Sequence, residues 1–151
     1  MAKEGVQIDS QNRALLLQGW VSLAVWMTFG LLLEGLLGYK IPEYLNDLQR
    51  RELFRLAHTH GVGLSIVLIV AAISLKTFDI AIPRATTLAL RIGAILMPLG
   101  FLLAGIRHTE SDPGLAIWLV PPAALLNIFG AISIALTCFN KEKISAKDKS
   151  K

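Results

Sequence analysis

His58 and His60 stand two residues apart in "RELFRLAHTHGVGLSIVLIV", residues 51–70, where a charged segment gives way to an almost unbroken apolar run. Neutral imidazole ligates copper, zinc or iron, and it exchanges protons near neutral pH. Arg55 lies one turn before His58, and Glu34 sits near the end of the preceding apolar run. An ionisable group inside an apolar run is costly unless paired, so each of these is a functional candidate. On a helix, Arg51, Arg55 and His58 fall within about 60° of one another, while His60 lies about 200° from His58. A regular helix therefore cannot bring both rings to one ion. The segment "RHTESDPG" adds His108 with Glu110 and Asp112, so all 3 histidines are expected at one side of the molecule.

These residues give a candidate binding set of Glu34, Arg55, His58 and His60, and candidate metal ligands His58, His60 and His108. The plainest role is structural: Glu34 and Arg55 as an inter-helix salt bridge, with His58 as a further donor. Three sharper readings stay open beside it. The site could hold haem or a transition metal through histidine. It could handle a quinone or protons at a membrane edge. It could also serve a small membrane enzyme acting on a thiol or lipid, with Arg55 and His58 as catalytic candidates. The leading expectation is a non-enzymatic accessory subunit or binding module built around this polar site.

The elements that must position these groups are four apolar runs, at residues 15–37, 54–75, 87–106 and 115–138. A span needs roughly 20 residues at a rise of about 1.5 Å, so each run is long enough. Only 17% of the 151 residues are charged, 54% are hydrophobic and the mean hydropathy is +0.56. Soluble domains carry about 25% charge. Open sheet edges cannot sit unpaired in lipid, so the expected fold is all-α, a four-transmembrane-helix bundle. "KIPEYLNDLQRRELF" suggests an interfacial helical segment before the second span, or an outward extension of that span. Residues 1–13 read as a polar leading segment, 14–138 as one membrane domain, and 139–151 as a basic, disordered tail. The first run is longer than a signal h-region and bulky Leu36, Leu37 and Tyr39 follow it, so it should remain in the mature chain.

Local signals refine the picture. Asp112 and Pro113 read as the N-cap and first residue of the fourth helix, and Pro83 as the start of the third. Pro121 and Pro122 should bend the fourth helix or open a turn, and Pro98 should do the same in the third. Gly30, Gly35, Gly38, Gly100, Gly105 and Gly130 allow close helix approach. Arg91 is expected to snorkel to the interface, Asn127 to hydrogen-bond across helices, and Trp26 to pack inside. Trp118 fits an aromatic belt. Cys138, the single cysteine, excludes an intramolecular disulfide and reads as a partly buried thiol.

Four spans place both termini on one side. That side collects Lys3, Arg13, Lys76, Arg84, Arg91 and the lysines of "KEKISAKDKSK", against Lys40, Arg50, Arg51, Arg55 and Arg107 on the other. The excess favours cytoplasmic termini, with the histidine side outside or periplasmic. The +4 net charge owes much to that tail, so the expected partners are the lipid bilayer and membrane proteins or a second copy, not nucleic acid.

"RLAHTHG" after "RRELF", with "LRIGAILMPLGFLLAGI" and "SDPGLAIWLVPPAALL" downstream, resembles a group of small bacterial four-helix membrane proteins with no established activity. The resemblance runs from the first loop onward. It supports the fold and the outer histidine motif but implies no reaction; the expected location is a bacterial inner membrane. The size and span number are also similar to those of membrane-associated glutathione and eicosanoid enzymes. "FRLAHTHG" resembles their Arg-x-x-Arg-Ala-His-x-Asn motif, with Leu56 where that motif has its second Arg, His60 where it has Asn, and no downstream Glu. The histidine-bearing spans are similar to helices of haem–copper oxidases and nitric oxide reductases, which draw several ligand histidines from many helices.

Overall fold

The computed structural model describes the backbone of residues 2–109 and 112–148, and the side chains of 10–109 and 112–141. Its elements in chain order are α1 (Ala2–Gly38), α2 (Pro42–Leu45), α3 (Leu48–Thr77), α4 (Arg84–Ile106), a 3-10 segment (Leu115–Leu119) and α5 (Val120–Asp148). Four segments are long and apolar enough to cross a membrane: Ser10–Gly38, Leu48–Thr77, Arg84–Ile106 and Leu115–Lys141. The chain thus has the all-α four-helix build of an integral membrane protein.

Chain reversals follow local chemistry. α1 and α3 end in the same way. Ile41 N–H reaches back to Leu36 C=O at 3.1 Å, and Ile80 N–H to Leu75 C=O at 2.8 Å. The residue before each isoleucine, Lys40 or Asp79, takes a left-handed φ of 53° or 49°. This is the closure that satisfies the last carbonyls of a helix and tucks an apolar residue against its end. α3 starts at Asp47, whose carboxylate accepts the Arg50 N–H at 2.9 Å as an N-cap. The expected interfacial segment is α2, a single turn led by Pro42, and α3 also extends outward as far as Leu48.

The helices pack in a row. α1 lies on α3, α3 on α4 and α4 on α5, with a smaller contact between α1 and α4, and among the described residues α1 and α5 do not meet. Burial follows this order: 50% of α4's most apolar stretch is buried against 11% for α1 and α5, which makes α4 the centre and α1 and α5 the edges. Two buried clusters fill the interior. Leu15, Leu68, Leu75 and Leu90 lead the one toward the termini, with Ile80 and Ile82 from the α3–α4 connection. Trp26, Leu53, Ala57, Phe101 and Ala104 form the other, toward the α1–α3 turn. Every buried member of both clusters comes from α1, α3, α4 or the α3–α4 connection.

Close approach between helices is set by side chains lying over glycine. The Trp26 ring sits on Gly61, so that a Cβ there would overlap it. Gly100, Gly105 and Gly130 also meet neighbouring helices, whereas Gly35 and Gly38 face open space. Polar residues tie the half nearer the termini. Arg91 is tied to α1 by a two-way pair: its Nε donates to Gln18 Oε1 at 2.7 Å, and Gln18 Nε2 donates to Arg91 C=O at 2.8 Å. Thr86 and Ser133 hydroxyls are 2.7 Å apart across α4 and α5. Asn127 bonds its own helix at Ala123 C=O, 2.9 Å away, and packs over Gly93 of α4.

Several local expectations need correction. Asp112 pairs with Thr109 in an isolated bridge instead of capping a helix. Gly114, at φ 60°, turns the chain, and the 3-10 segment precedes α5. Pro121 and Pro122 fall in the first turn of α5, where a missing N–H costs nothing. Cys138 is exposed on α5. α5 continues to Asp148, into the segment expected to be disordered, and residues 149–151 lie outside the described residues.

Candidate functional site

The end of the molecule that carries the α1–α3 turn holds the ionisable groups singled out by the sequence. On α1, Trp26, Gly30 and Glu34 follow one another every fourth residue, so they share a face. On α3, Arg51, Arg55, His58 and Val62 do the same at spacings of three and four. Where these faces meet there is a groove of about 880 Å³. Its mouth is lined by Glu34, Arg51, Arg55 and Tyr44, and its inner part by Met27, Leu31, Val62 and Ile66, with His58 and Thr59 between.

His58 is the fixed point of this groove. Its Nδ1 lies 2.8 Å from the Trp26 carbonyl oxygen on α1. A carbonyl only accepts, so Nδ1 carries the proton and donates. The ring lies directly over Gly30, where any Cβ would collide with it. Nε2 is left to the groove that the ring lines. Arg55 pairs with Glu52 of its own helix at 3.0 Å, both side chains well exposed, in place of the expected bridge to Glu34. Such an exposed pair contributes about 0–1 kcal/mol and exchanges readily. Arg51 approaches Leu45 C=O at 3.5 Å, too far for a firm hydrogen bond. Glu34 is exposed at the same mouth.

The other histidines are elsewhere. His60 turns to α4, where its ring stacks on Phe101 with centroids 5.0 Å apart and planes at 29°. Its Nδ1 is 2.8 Å from Leu56 C=O of its own helix. His108, after α4, is only 8% exposed in its side chain, and its Nε2 lies 2.8 Å from Asp47 Oδ2. Among the described residues Nε2 makes no hydrogen bond of good geometry despite this close approach. Arg50 completes the cluster: it contacts Asp47 Oδ2 at 3.5 Å and donates to Gly105 C=O at 3.3 Å. This group clips the end of α4 to the start of α3. Among the described residues, no three His, Cys, Asp or Glu side chains gather as a metal site, and Glu110 lies outside them.

The structure therefore brings Glu34, Arg55 and His58 into one groove and separates His60 and His108 from it. Sequence reasoning placed Arg51 on the same stripe as Arg55 and His58, yet left it out of the site. It missed Gly30 and the Trp26 carbonyl. The four-residue spacing of Trp26, Gly30 and Glu34 was the available signal for the glycine. A backbone acceptor has no signature in side-chain pattern. No protein-family model, curated protein or solved structure matches the chain.

Proposed function

We propose that this chain is a non-enzymatic membrane-embedded binding module or accessory subunit that takes the polar end of an amphiphile in the groove between α1 and α3. The observation that carries this reading is the groove's own gradient: three charged side chains at the mouth, a histidine midway and apolar walls beneath. An amphiphile has the same gradient from head to tail. The binding role is also supported by how His58 is held, since a backbone carbonyl orients it and no carboxylate backs it. The exposed apolar faces of α1 and α5 are assigned to lipid and to membrane-protein partners or a second copy.

Mass spectrometry of the gently solubilised protein tests the groove. About one equivalent of a retained amphiphile is expected. Met27→Trp, which fills the groove from an exposed position, should lose it without changing helicity. Equal retention by both proteins, or none by the wild type, would refute the reading. A haem Soret band lost in His58→Ala or His60→Ala would replace it with the haem alternative; these two rings would then serve separate sites, because they face different helices.

The charge excess on the terminal side and the resemblance to small bacterial membrane proteins support a bacterial inner membrane with both termini in the cytoplasm. A fluorescent protein that matures only in the cytoplasm, fused after Lys151, should light up. A dark fusion that becomes active only as a periplasmic reporter would reverse the orientation.

A further inference from the structure

We infer that the α1–α3 groove selects a single-chain phospholipid whose head carries a phosphate and an ammonium and whose glycerol keeps a free hydroxyl. This rests on the groove reading above and specifies its ligand. Order in depth identifies the ligand. Along α3, Arg55 lies about 6 Å inward of Arg51, His58 about 4.5 Å beyond that, and Ile66 about 12 Å further. The groove thus offers, from its mouth inward, two guanidiniums, then an imidazole, then apolar wall.

Charge decides the head. Arg51 and Arg55 are the cations of the lining and Glu34 its carboxylate. Guanidinium forks match phosphate oxygens, and Arg55 can exchange its exposed Glu52 partner for one. A purely anionic head would leave Glu34 facing like charge. An ammonium two carbons from the phosphate gives Glu34 an opposite charge, while the two guanidiniums share the phosphate's single negative charge.

His58 decides the rest. Its Nδ1–H is committed to the Trp26 carbonyl, and in the tautomer that this bond selects Nε2 is an acceptor. A group buried beside it should donate, because an acceptor set against another acceptor forfeits its hydrogen bond. The ester oxygens that lie below the phosphate of a two-chain phospholipid only accept. A lysophospholipid has a hydroxyl at that level, a bond or two below the phosphate ester, which fits the rise from Arg55 to His58. Its one chain then runs along Met27, Leu31 and Ile66.

Equilibrium binding of labelled lysophosphatidylethanolamine to the full-length protein in maltoside micelles tests this. The wild type should bind about one equivalent. It should prefer this lipid about tenfold over its O-methyl ether at the glycerol hydroxyl, and similarly over the two-chain parent. His58→Phe should abolish the hydroxyl preference, and His58→Gln, which keeps a donor and an acceptor, should restore part of it. Glu34→Gln should remove only the preference for an ammonium head over a phosphoglycerol head. Arg51→Gln with Arg55→Gln should weaken all phosphate-headed ligands at least tenfold. Equal binding of the lysolipid and its ether by the wild type overturns the ligand assignment but leaves the groove reading standing if Met27→Trp still blocks both. Binding that Met27→Trp does not disturb overturns both.

Discussion

Gly61→Leu is expected to destabilise the protein by about 3 kcal/mol, the upper end of what overpacking costs, or to prevent assembly altogether. Trp26 is 6% exposed and lies face down on Gly61, with Phe29 edge-on at 5.6 Å. A side chain at 61 has no space to enter unless the indole leaves. α1 cannot simply lift away, because Gly19 is packed equally hard on Ile69 a few turns further along the same pair of helices. Displacing the ring forfeits its contacts in the cluster with Leu53, Ala57 and Phe101. Gly63 supplies the internal control. It lies on the same helix, two residues on, with open space around its Cβ position. Gly63→Leu should leave stability within about 0.5 kcal/mol of wild type. Unfolding titrated in mixed micelles measures both, and equal effects of the two substitutions would show that the Trp26–Gly61 contact does not hold α1 to α3.

The second large effect should come from Gln18, with an asymmetry that reveals its cause. Gln18 and Arg91 form a two-way pair inside the spans, through the 2.7 Å and 2.8 Å bonds described above. Gln18→Leu takes from the half-buried guanidinium its acceptor on α1, at a cost of about 2 kcal/mol for a hydrogen bond to a charged group. Arg91→Leu leaves only a neutral amide short of one partner, about 1 kcal/mol. Changing both to leucine removes the polar groups together, so the double variant should be more stable than Gln18→Leu alone. Additive losses in that cycle would mean the two residues do not act as a pair.

The four spans were legible because length and hydropathy are what a membrane crossing demands. Their ends were less so, for identifiable reasons. The second run begins at Phe54 by hydropathy, but α3 begins at Leu48, since Arg50, Arg51 and Glu52 interrupt apolarity without interrupting a helix. The fourth was expected to start at Pro113 with Asp112 as its cap, whereas Gly114 with its positive φ precedes a 3-10 segment from Leu115 and α5 begins at Val120. Which helix faces which was not legible. In lipid both the packed and the exposed faces are apolar, so periodicity carries little of that information. Cys138 was misplaced for this reason. Within the site, the stripe of Arg51, Arg55 and His58 follows from spacing alone. The separation of His108 from the groove depends on Asp47, whose role as both helix cap and histidine contact emerges only from the turn between α1 and α3.

The row order of the helices has a consequence for how the molecule is made. Each helix finds its main partner in the one before it, apart from the single-turn α2. A chain delivered to the bilayer from its N-terminus can therefore assemble as it arrives, with few contacts that wait for distant segments, the topology associated with fast folding. α5 arrives last and adds no member to either fully buried cluster. It packs on α4 and the 3-10 segment, laying Gly130 over Leu90 and Val120 over Gly100, so the last helix to arrive covers a core whose members the earlier helices supply.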